Sequence, residues 1–144
     1  MALVTIGYAA YKQSNFLERL RELGIEVVAD VRAVAGSRKP GFAKGPLARR
    51  LAEAGVEYVD FRELGAERDL REFIRRSGDY EEFFRRYRES ITGQEAALRH
   101  IESLARVKRI ALLCLESDAR HCHRWALSEL LRERDASIQL EHAS

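Results

Sequence analysis

The clearest fold signal in the chain lies at residues 109–131. The apolar run Ile110-Ala-Leu-Leu-Cys-Leu115 precedes Glu116-Ser-Asp-Ala-Arg-His-Cys-His-Arg124, and a helical pattern starts at Trp125. A short apolar run that ends in charged residues is typical of a buried parallel strand where it leaves the sheet. Ligands of open α/β sheets bind at such strand ends. The stretch therefore predicts a strand, a polar loop and a helix, with a candidate site in the loop.

The rest of the chain shows the same alternation of strand and helix patterns. Further strands are predicted at 3–7, 25–31, 56–61 and 137–140, with helices between them. Such alternation favours a mainly parallel sheet with right-handed connections. We therefore expect one α/β domain over residues 1–144, a three-layer sandwich with a mainly parallel sheet of about five strands. Residues 66–92 carry no strand pattern and are expected to form a helical insertion between strands three and four, placed to act as a lid.

Several residues predict where individual elements begin and end. Ser14 and Asp79 are expected helix caps, Pro46 the first residue of a helix, Thr92 and Glu95 a capping box, and residues 141–144 a frayed terminus.

Composition limits the class of protein. The 144 residues, of which 46% are hydrophobic, suffice for one substantial core. The formal net charge is only +2, so the chain lacks the overall basic excess of a dedicated nucleic-acid binder. No apolar run approaches the roughly 18 residues of a membrane span, and the N-terminus reads as a strand. We expect a cytoplasmic protein that does not bind membranes.

A basic loop with three glycines follows the second predicted strand, at residues 33–45. It contains Arg38, Lys39 and Lys44 and is preceded by Arg32. A basic glycine-containing loop ahead of a helix suits an anion, and we expect Arg32, Arg38 and Lys39 to bind one. The spacing does not match a Walker A loop. A solvated loop without a ligand is the alternative.

Cys114 lies at the end of a predicted strand, so its side chain is either packed in the core or exposed at the crevice. Arg120 follows six positions later, a spacing by which phosphatase-like and rhodanese-like loops hold a thiolate opposite an oxyanion. Glu116 and Asp118 would repel an anion there. Their presence counts against a phosphatase-type site.

Cys122 lies with His123 and Arg124 at the predicted start of the last helix. A helix N-terminus favours a thiolate, and its backbone N–H groups together with Arg124 could hold an anion. Neighbouring residues on a helix point about 100° apart, so adjacency in sequence does not bring His123 to the Cys122 sulfur. The alternative is that Cys122 only packs the start of the helix.

The loop also contains residue types that bind zinc. They are Cys114, Glu116, His121, Cys122 and His123, but their spacing matches no standard finger or ribbon. We therefore expect no metal, and the sequence indicates no particular cofactor.

An ordered set of short motifs runs along the chain. They are Thr5-Ile-Gly7, Asp30-Val-Arg32, Gly36-Ser-Arg-Lys-Pro40 with Phe42, Gly55-Val-Glu-Tyr58 with Glu63-Leu-Gly65, and Leu113-Cys-Leu-Glu116 with Cys122-His-Arg124. Together they resemble the domain-of-unknown-function family 488 over nearly the whole chain. The resemblance implies an α/β domain with its motifs at strand ends, and it brings no activity with it.

The chain departs from that family's pattern at two places. The family's first motif usually continues with His-Ser-Asn, whereas this chain has Tyr8-Ala9-Ala10. Chemistry that relies on that histidine is therefore in doubt here. Ala119 also stands where a proline is common in the family.

The favoured hypothesis is an enzyme that acts on an anionic, phosphate-bearing substrate at the strand-end crevice. Its candidate catalytic residues are Cys122 or Cys114 as nucleophile and Glu116 or Asp30 as acid or base. Its candidate anion-binding residues are Arg32, Arg38, Lys39, His123 and Arg124.

Two further hypotheses involve no catalysis. One is a module that binds nucleic acid or a nucleotide, because residues 32–50 and 75–88 are basic and the second segment contains aromatic residues. The other is a small interaction protein in which Asp30 with Arg32, and Glu116 with Arg124, form structural ion pairs.

Overall fold

The computed structural model describes residues 1–144 and contains one sheet of five parallel strands. The strands are β1 (Ala2–Gly7), β2 (Val27–Asp30), β3 (Glu57–Asp60), β4 (Ile110–Cys114) and β5 (Gln139–Ala143). The helices are α1 (Gln13–Glu22), α2 (Lys44–Glu53), α3 (Arg68–Ser77), α4 (Tyr80–Ser90), α5 (Glu95–Val107) and α6 (His123–Arg134), with one-turn 3-10 helices at Arg62–Leu64 and Ala119–His121. The predicted α/β class and the five-stranded sheet are confirmed.

The strand order is β3-β2-β4-β1-β5, which places β4 at the centre of the sheet. All five residues of β4 are buried, and this explains why the strand is continuously apolar instead of alternating. Its last residue, Cys114, pairs with Gly7 of β1, and Leu113 pairs with Asp30 of β2. The carboxyl ends of β1, β2 and β4 therefore meet at one edge of the sheet.

Helices cover both faces of the sheet. Helices α1 and α2 pack on one face through Phe16, Leu20, Leu47 and Leu51. Helices α3 to α6 pack on the other face in a larger core that includes Leu70, Tyr87, Ile101 and Leu127. The fold is thus the predicted three-layer sandwich. None of the six helices combines the length and apolar character needed to cross a membrane.

The predicted helical insertion between β3 and β4 is present and consists of a 3-10 helix followed by α3, α4 and α5. Phe83 and Tyr87 of α4 are buried in the larger core, where the Tyr87 hydroxyl donates to the Leu64 carbonyl at 2.6 Å. The insertion is therefore largely a packed layer of the fold and not a separate lid. Its residues Arg71 and Tyr80 reach the sheet edge where β1, β2 and β4 end.

Of the predicted caps and first residues, Asp79 is correct, since its carboxylate accepts the Glu82 N–H at 3.1 Å at the start of α4. The start of α6 at Cys122 and His123 is also as predicted. The cap of α1 is Lys12 and not Ser14, and Pro46 is the third residue of α2 and not the first. Thr92 does not cap α5, because its hydroxyl instead donates to the Glu89 carbonyl at the end of α4.

The end of the chain also differs from its prediction. Residues 139–143 form β5, which pairs in parallel with β1 from Ala2 to Ile6. The predicted fraying from residue 141 is therefore wrong up to Ala143. The free edge of β1 offers backbone hydrogen-bonding partners that the local sequence does not reveal.

Candidate functional site

A pocket of about 980 Å³ opens at the edge where β1, β2 and β4 end. Seven of the nine predicted site residues line it, namely Arg32, Arg38, Lys39, Cys114, Glu116, Cys122 and His123. The other two, Asp30 and Arg124, are fully buried behind it. The ends of β2 and β4 and the loop before α6 thus lie together, because the carboxyl ends of parallel strands meet at one edge of the sheet.

Cys122 is the N-cap of α6, and its sulfur accepts the Arg124 backbone N–H at 3.5 Å. Cys114 ends β4 beside it, and both cysteines are free thiols. Only 2% of Cys122 and 5% of Cys114 is exposed. The two sulfurs therefore lie at the floor of the pocket.

His123 joins the two cysteines through one ring nitrogen. Its Nε2 lies 2.6 Å from the Val31 carbonyl, which can only accept a hydrogen bond, so Nε2 carries a proton. Its Nδ1 lies 3.7 Å from the sulfur of Cys122 and 3.7 Å from the sulfur of Cys114. His123 therefore contacts the Cys122 sulfur, although adjacency in sequence alone does not require this. The hydrogen bond to Val31, which follows β2, sets the orientation of the ring.

The two thiols differ in their pKa, because their surroundings differ. The hydrogen bond with Cys122, together with burial, raises the pKa of Cys114 well above its ordinary value. Burial also opposes ionisation of Cys122, but the hydrogen bond from Cys114 and the positive charges of His123 and Arg124 outweigh it. The pKa of Cys122 therefore lies well below its ordinary value. Cys122 is the more acidic thiol of the pair.

The pKa values of His123 and Glu116, which lie beside these thiols, are shifted as well. Burial lowers the pKa of His123, but the Cys122 thiolate and its hydrogen bond outweigh burial and raise that pKa overall. Loss of hydration and the Cys122 charge raise the pKa of Glu116, whose Oε2 lies 3.3 Å from the Cys114 sulfur. These contacts thus favour the thiolate form of Cys122 and the protonated form of His123, and Glu116 holds its proton more readily than usual.

Arg124 positions the loop and does not face the pocket. Its guanidinium is fully buried and donates to the carbonyls of Glu116 at 2.5 Å and Ser117 at 3.3 Å, while its Nε has no partner. The hypothetical ion pair between Arg124 and the Glu116 carboxylate is absent, because the contact is to the main chain. The prediction that Arg124 binds an anion gains no support from this position.

Gly7 shapes the same loop from the side of β1. A Cβ at this position would lie 1.7 Å from the Glu116 carbonyl oxygen and 2.4 Å from its carbon. Only glycine therefore lets the loop pass this close to the strand. This contact gives a physical reason for the Thr5-Ile-Gly7 motif.

Asp30 and Arg32 form a buried bidentate ion pair, with Nε to Oδ1 at 2.9 Å and Nη2 to Oδ2 at 2.8 Å. Asp30 also accepts the Tyr58 hydroxyl, and Arg32 donates to the Phe42 carbonyl at 2.7 Å. The structural ion pair between Asp30 and Arg32 is therefore present. Because Asp30 is enclosed by these partners, it has no open position from which to exchange a proton with a substrate.

The rim of the pocket contains residues that the sequence did not assign to the site. Arg71 and Arg75 line the pocket from α3, and Tyr80 stacks on His121 with ring centroids 4.8 Å apart. The basic character of residues 75–88 was the one available signal. No helical pattern in this segment indicates that Arg75 faces the pocket.

One group of side chains has the composition of a metal site. The ligand atoms of Cys114, Cys122 and His123 all lie within 4.8 Å of one another, and all three residues are buried. Folding therefore brings together donors whose sequence spacing did not suggest zinc.

The fold and the pocket define an α/β protein with two thiols and an imidazole at the carboxyl edge of its sheet. The family model described as Domain of unknown function DUF488 matches residues 12–131, and the chain belongs to this family. The match begins after Thr5-Ile-Gly7 and contains the other motifs. No curated protein and no solved structure matches the chain.

Proposed function

We propose that the protein is a thiol-dependent enzyme that acts on an anionic, phosphate-bearing substrate in this pocket, with Cys122 as its nucleophile. The observation that carries the proposal is the 3.7 Å contact between the Cys122 sulfur and the His123 Nδ1 at the pocket floor. A cysteine beside a histidine that a third group orients is the arrangement of an activated thiol. The Val31 carbonyl is the orienting group here.

The charges around the pocket support an anionic substrate. Five cationic residues line it, namely Arg32, Arg38, Lys39, Arg71 and Arg75, against the two carboxylates of Glu116 and Asp118. Asp30 already neutralises Arg32. Four cations therefore remain to attract and hold the negative group.

The proposed reaction begins with the Cys122 thiolate. Its electron pair forms a bond from sulfur to the electrophilic centre of the substrate, and the bond to the leaving group breaks. The leaving group departs with that electron pair and takes a proton from Glu116, whose pKa is raised by burial and by the Cys122 charge. Cys114, whose pKa is raised, stays a thiol and hydrogen-bonds its neighbours.

The two free cysteines bear on the location of the enzyme. Neighbouring free thiols persist in a reducing compartment, so we place the enzyme in the cytoplasm.

The alternative, a nucleic-acid or nucleotide binding module, needs exposed aromatic platforms. Phe83 and Tyr87 are 4% and 0% exposed, so they do not supply them.

A pair of alkylating reagents tests both the thiol and the charge of the pocket. Iodoacetate is an anion and iodoacetamide is its neutral counterpart, so the ratio of their rates at Cys122 reports the local potential. We expect this ratio to fall in Arg38→Gln/Arg75→Gln. Each cation contributes about 0.4 kcal/mol in water at about 10 Å, a factor of about 2, so the double variant loses about 4-fold at low salt.

The matched control is Arg76→Gln, which removes an exposed arginine of α3 that does not line the pocket. Its rate ratio should equal that of the wild type. A double variant that keeps the wild-type ratio, or a protein in which neither reagent modifies Cys122, would contradict the proposal.

A further inference from the structure

We propose that Cys114, Cys122 and His123 bind a Zn²⁺ ion, with the fourth coordination position facing the pocket. Two thiolates and one imidazole nitrogen are a donor set that zinc accepts, and three protein ligands with one open position are typical of its reactive sites. This site goes beyond the proposed function and does not depend on it.

The distances between the donor atoms suit a tetrahedral ion. Zinc bonds of about 2.3 Å to sulfur and about 2.05 Å to nitrogen at tetrahedral angles separate the two donors by about 3.6 Å. The His123 Nδ1 lies 3.7 Å from each of the two sulfurs. Neither of these two sulfur–nitrogen distances therefore has to change much when zinc binds.

The surrounding hydrogen bonds point the donors inward. A metal-binding histidine usually donates its other ring N–H to a carbonyl or a carboxylate. The Val31 carbonyl accepts from Nε2 at 2.6 Å, which turns Nδ1 toward the sulfurs, where it can bind a metal once it gives up its proton. The Cys122 sulfur accepts the Arg124 backbone N–H, an interaction that stabilises a thiolate whether or not a metal is bound.

Charge balance also favours a divalent ion at this position. Two thiolates neutralise Zn²⁺, so the loaded cluster adds no net charge to the buried site. The fourth position lies on the pocket side, where the Glu116 carboxylate is 3.3 Å from the Cys114 sulfur. Water, Glu116 or an anion in the pocket can complete the coordination.

The zinc site and the thiol chemistry use the same atom. Zinc draws electron density from the Cys122 sulfur and lowers its nucleophilicity, so a bound ion slows alkylation. The geometry therefore makes zinc an inhibitor of the proposed reaction. Removal of the metal by a chelator would restore the nucleophile.

The test uses the reduced, chelator-treated full-length protein and adds Co²⁺ alone as a spectroscopic probe, then Zn²⁺ as competitor. We expect one equivalent of cobalt to give a thiolate-to-metal charge-transfer band together with the intense d–d bands of a tetrahedral ion. Zinc should abolish both signals stoichiometrically. Cobalt that gives no charge-transfer band, or only the weak bands of an octahedral ion, would overturn the site.

Substitutions show which residues bind the metal ion. Changes around metal ligands cost about 10- to 100-fold in affinity, so loss of a ligand itself should cost at least about 100-fold in Cys122→Ser and in Cys114→Ser. Serine also caps helices well, so Cys122→Ser should keep the start of α6, which circular dichroism checks. His121→Gln, which removes an exposed pocket histidine outside the cluster, should bind zinc as the wild type does.

The outcomes separate the two proposals. Wild-type affinity in both cysteine variants, or loss of binding in His121→Gln, places the ion elsewhere and overturns the zinc site. Alkylation of Cys122 in the metal-free protein is measured independently. It tests the proposed enzyme even where zinc does not bind.

Discussion

Substitution of Gly7 by alanine should disrupt the candidate site through a single steric contact. The added Cβ would lie 1.7 Å from the Glu116 carbonyl oxygen, and real Cβ atoms keep at least 3.0 Å from such atoms. Strand β1 and the loop after β4 must therefore separate by more than 1 Å. This movement strains the Gly7–Cys114 pairing or the hydrogen bond from Arg124 to the same carbonyl.

The expected cost follows from these two effects. Overpacking of a well-packed region typically costs about 1–3 kcal/mol, and a weakened hydrogen bond adds about 1 kcal/mol. We expect Gly7→Ala to lower the free energy of unfolding by about 3 kcal/mol in urea denaturation. Its alkylation rate at Cys122 should change as well, because the loop between Cys114 and Cys122 is displaced.

The control is Gly93→Ala, since a Cβ at Gly93 meets no atom within 4 Å. Its free energy of unfolding should stay within about 0.5 kcal/mol of the wild type, as for most surface substitutions. A Gly7→Ala protein as stable as Gly93→Ala would show that the Glu116 carbonyl does not approach Gly7 this closely.

Three further substitutions test the supports of the fold by urea denaturation. Arg32→Met should cost about 3–5 kcal/mol, because it leaves the Asp30 carboxylate buried without its bidentate partner; a cost below 1 kcal/mol would contradict a structural pair. Tyr87→Phe should cost about 1–3 kcal/mol by leaving the Leu64 carbonyl unsatisfied in the core; an unchanged midpoint would show that this bond contributes nothing. Asp79→Ala should cost about 1 kcal/mol through loss of the α4 cap, and Asp79→Asn should retain most of that stability.

The sequence predicts much of the fold because parallel strands and their ends leave strong local signals. The apolar run of β4 and the charged residues after it predict a buried parallel strand with a site at its end, and the pocket lies there in the structure. Terminal elements were less predictable. β5 continues to Ala143 because β1 offers a free edge, and this is a tertiary effect that the polar residues of β5 do not signal.

Within the site, residue types were predictable and their roles were not. Arg124 has the charge of an anion-binding residue, yet it is buried and holds the main chain of Glu116. His123 reaches both cysteines because Val31, 92 positions earlier, binds the other side of its ring. Contacts of this kind depend on which strands are neighbours, and no sequence periodicity encodes them.

If Cys122 is the reactive thiol, it is alkylated before Cys114. Reduced, chelator-treated protein is treated with iodoacetamide at neutral pH, and mass spectrometry follows each cysteine-containing peptide. Exposure favours Cys114, at 5% against 2%, whereas the charges of His123 and Arg124 favour Cys122. We expect Cys122 to react at least about tenfold faster, the factor that one unit of pKa represents. Equal rates, or faster modification of Cys114, would contradict it.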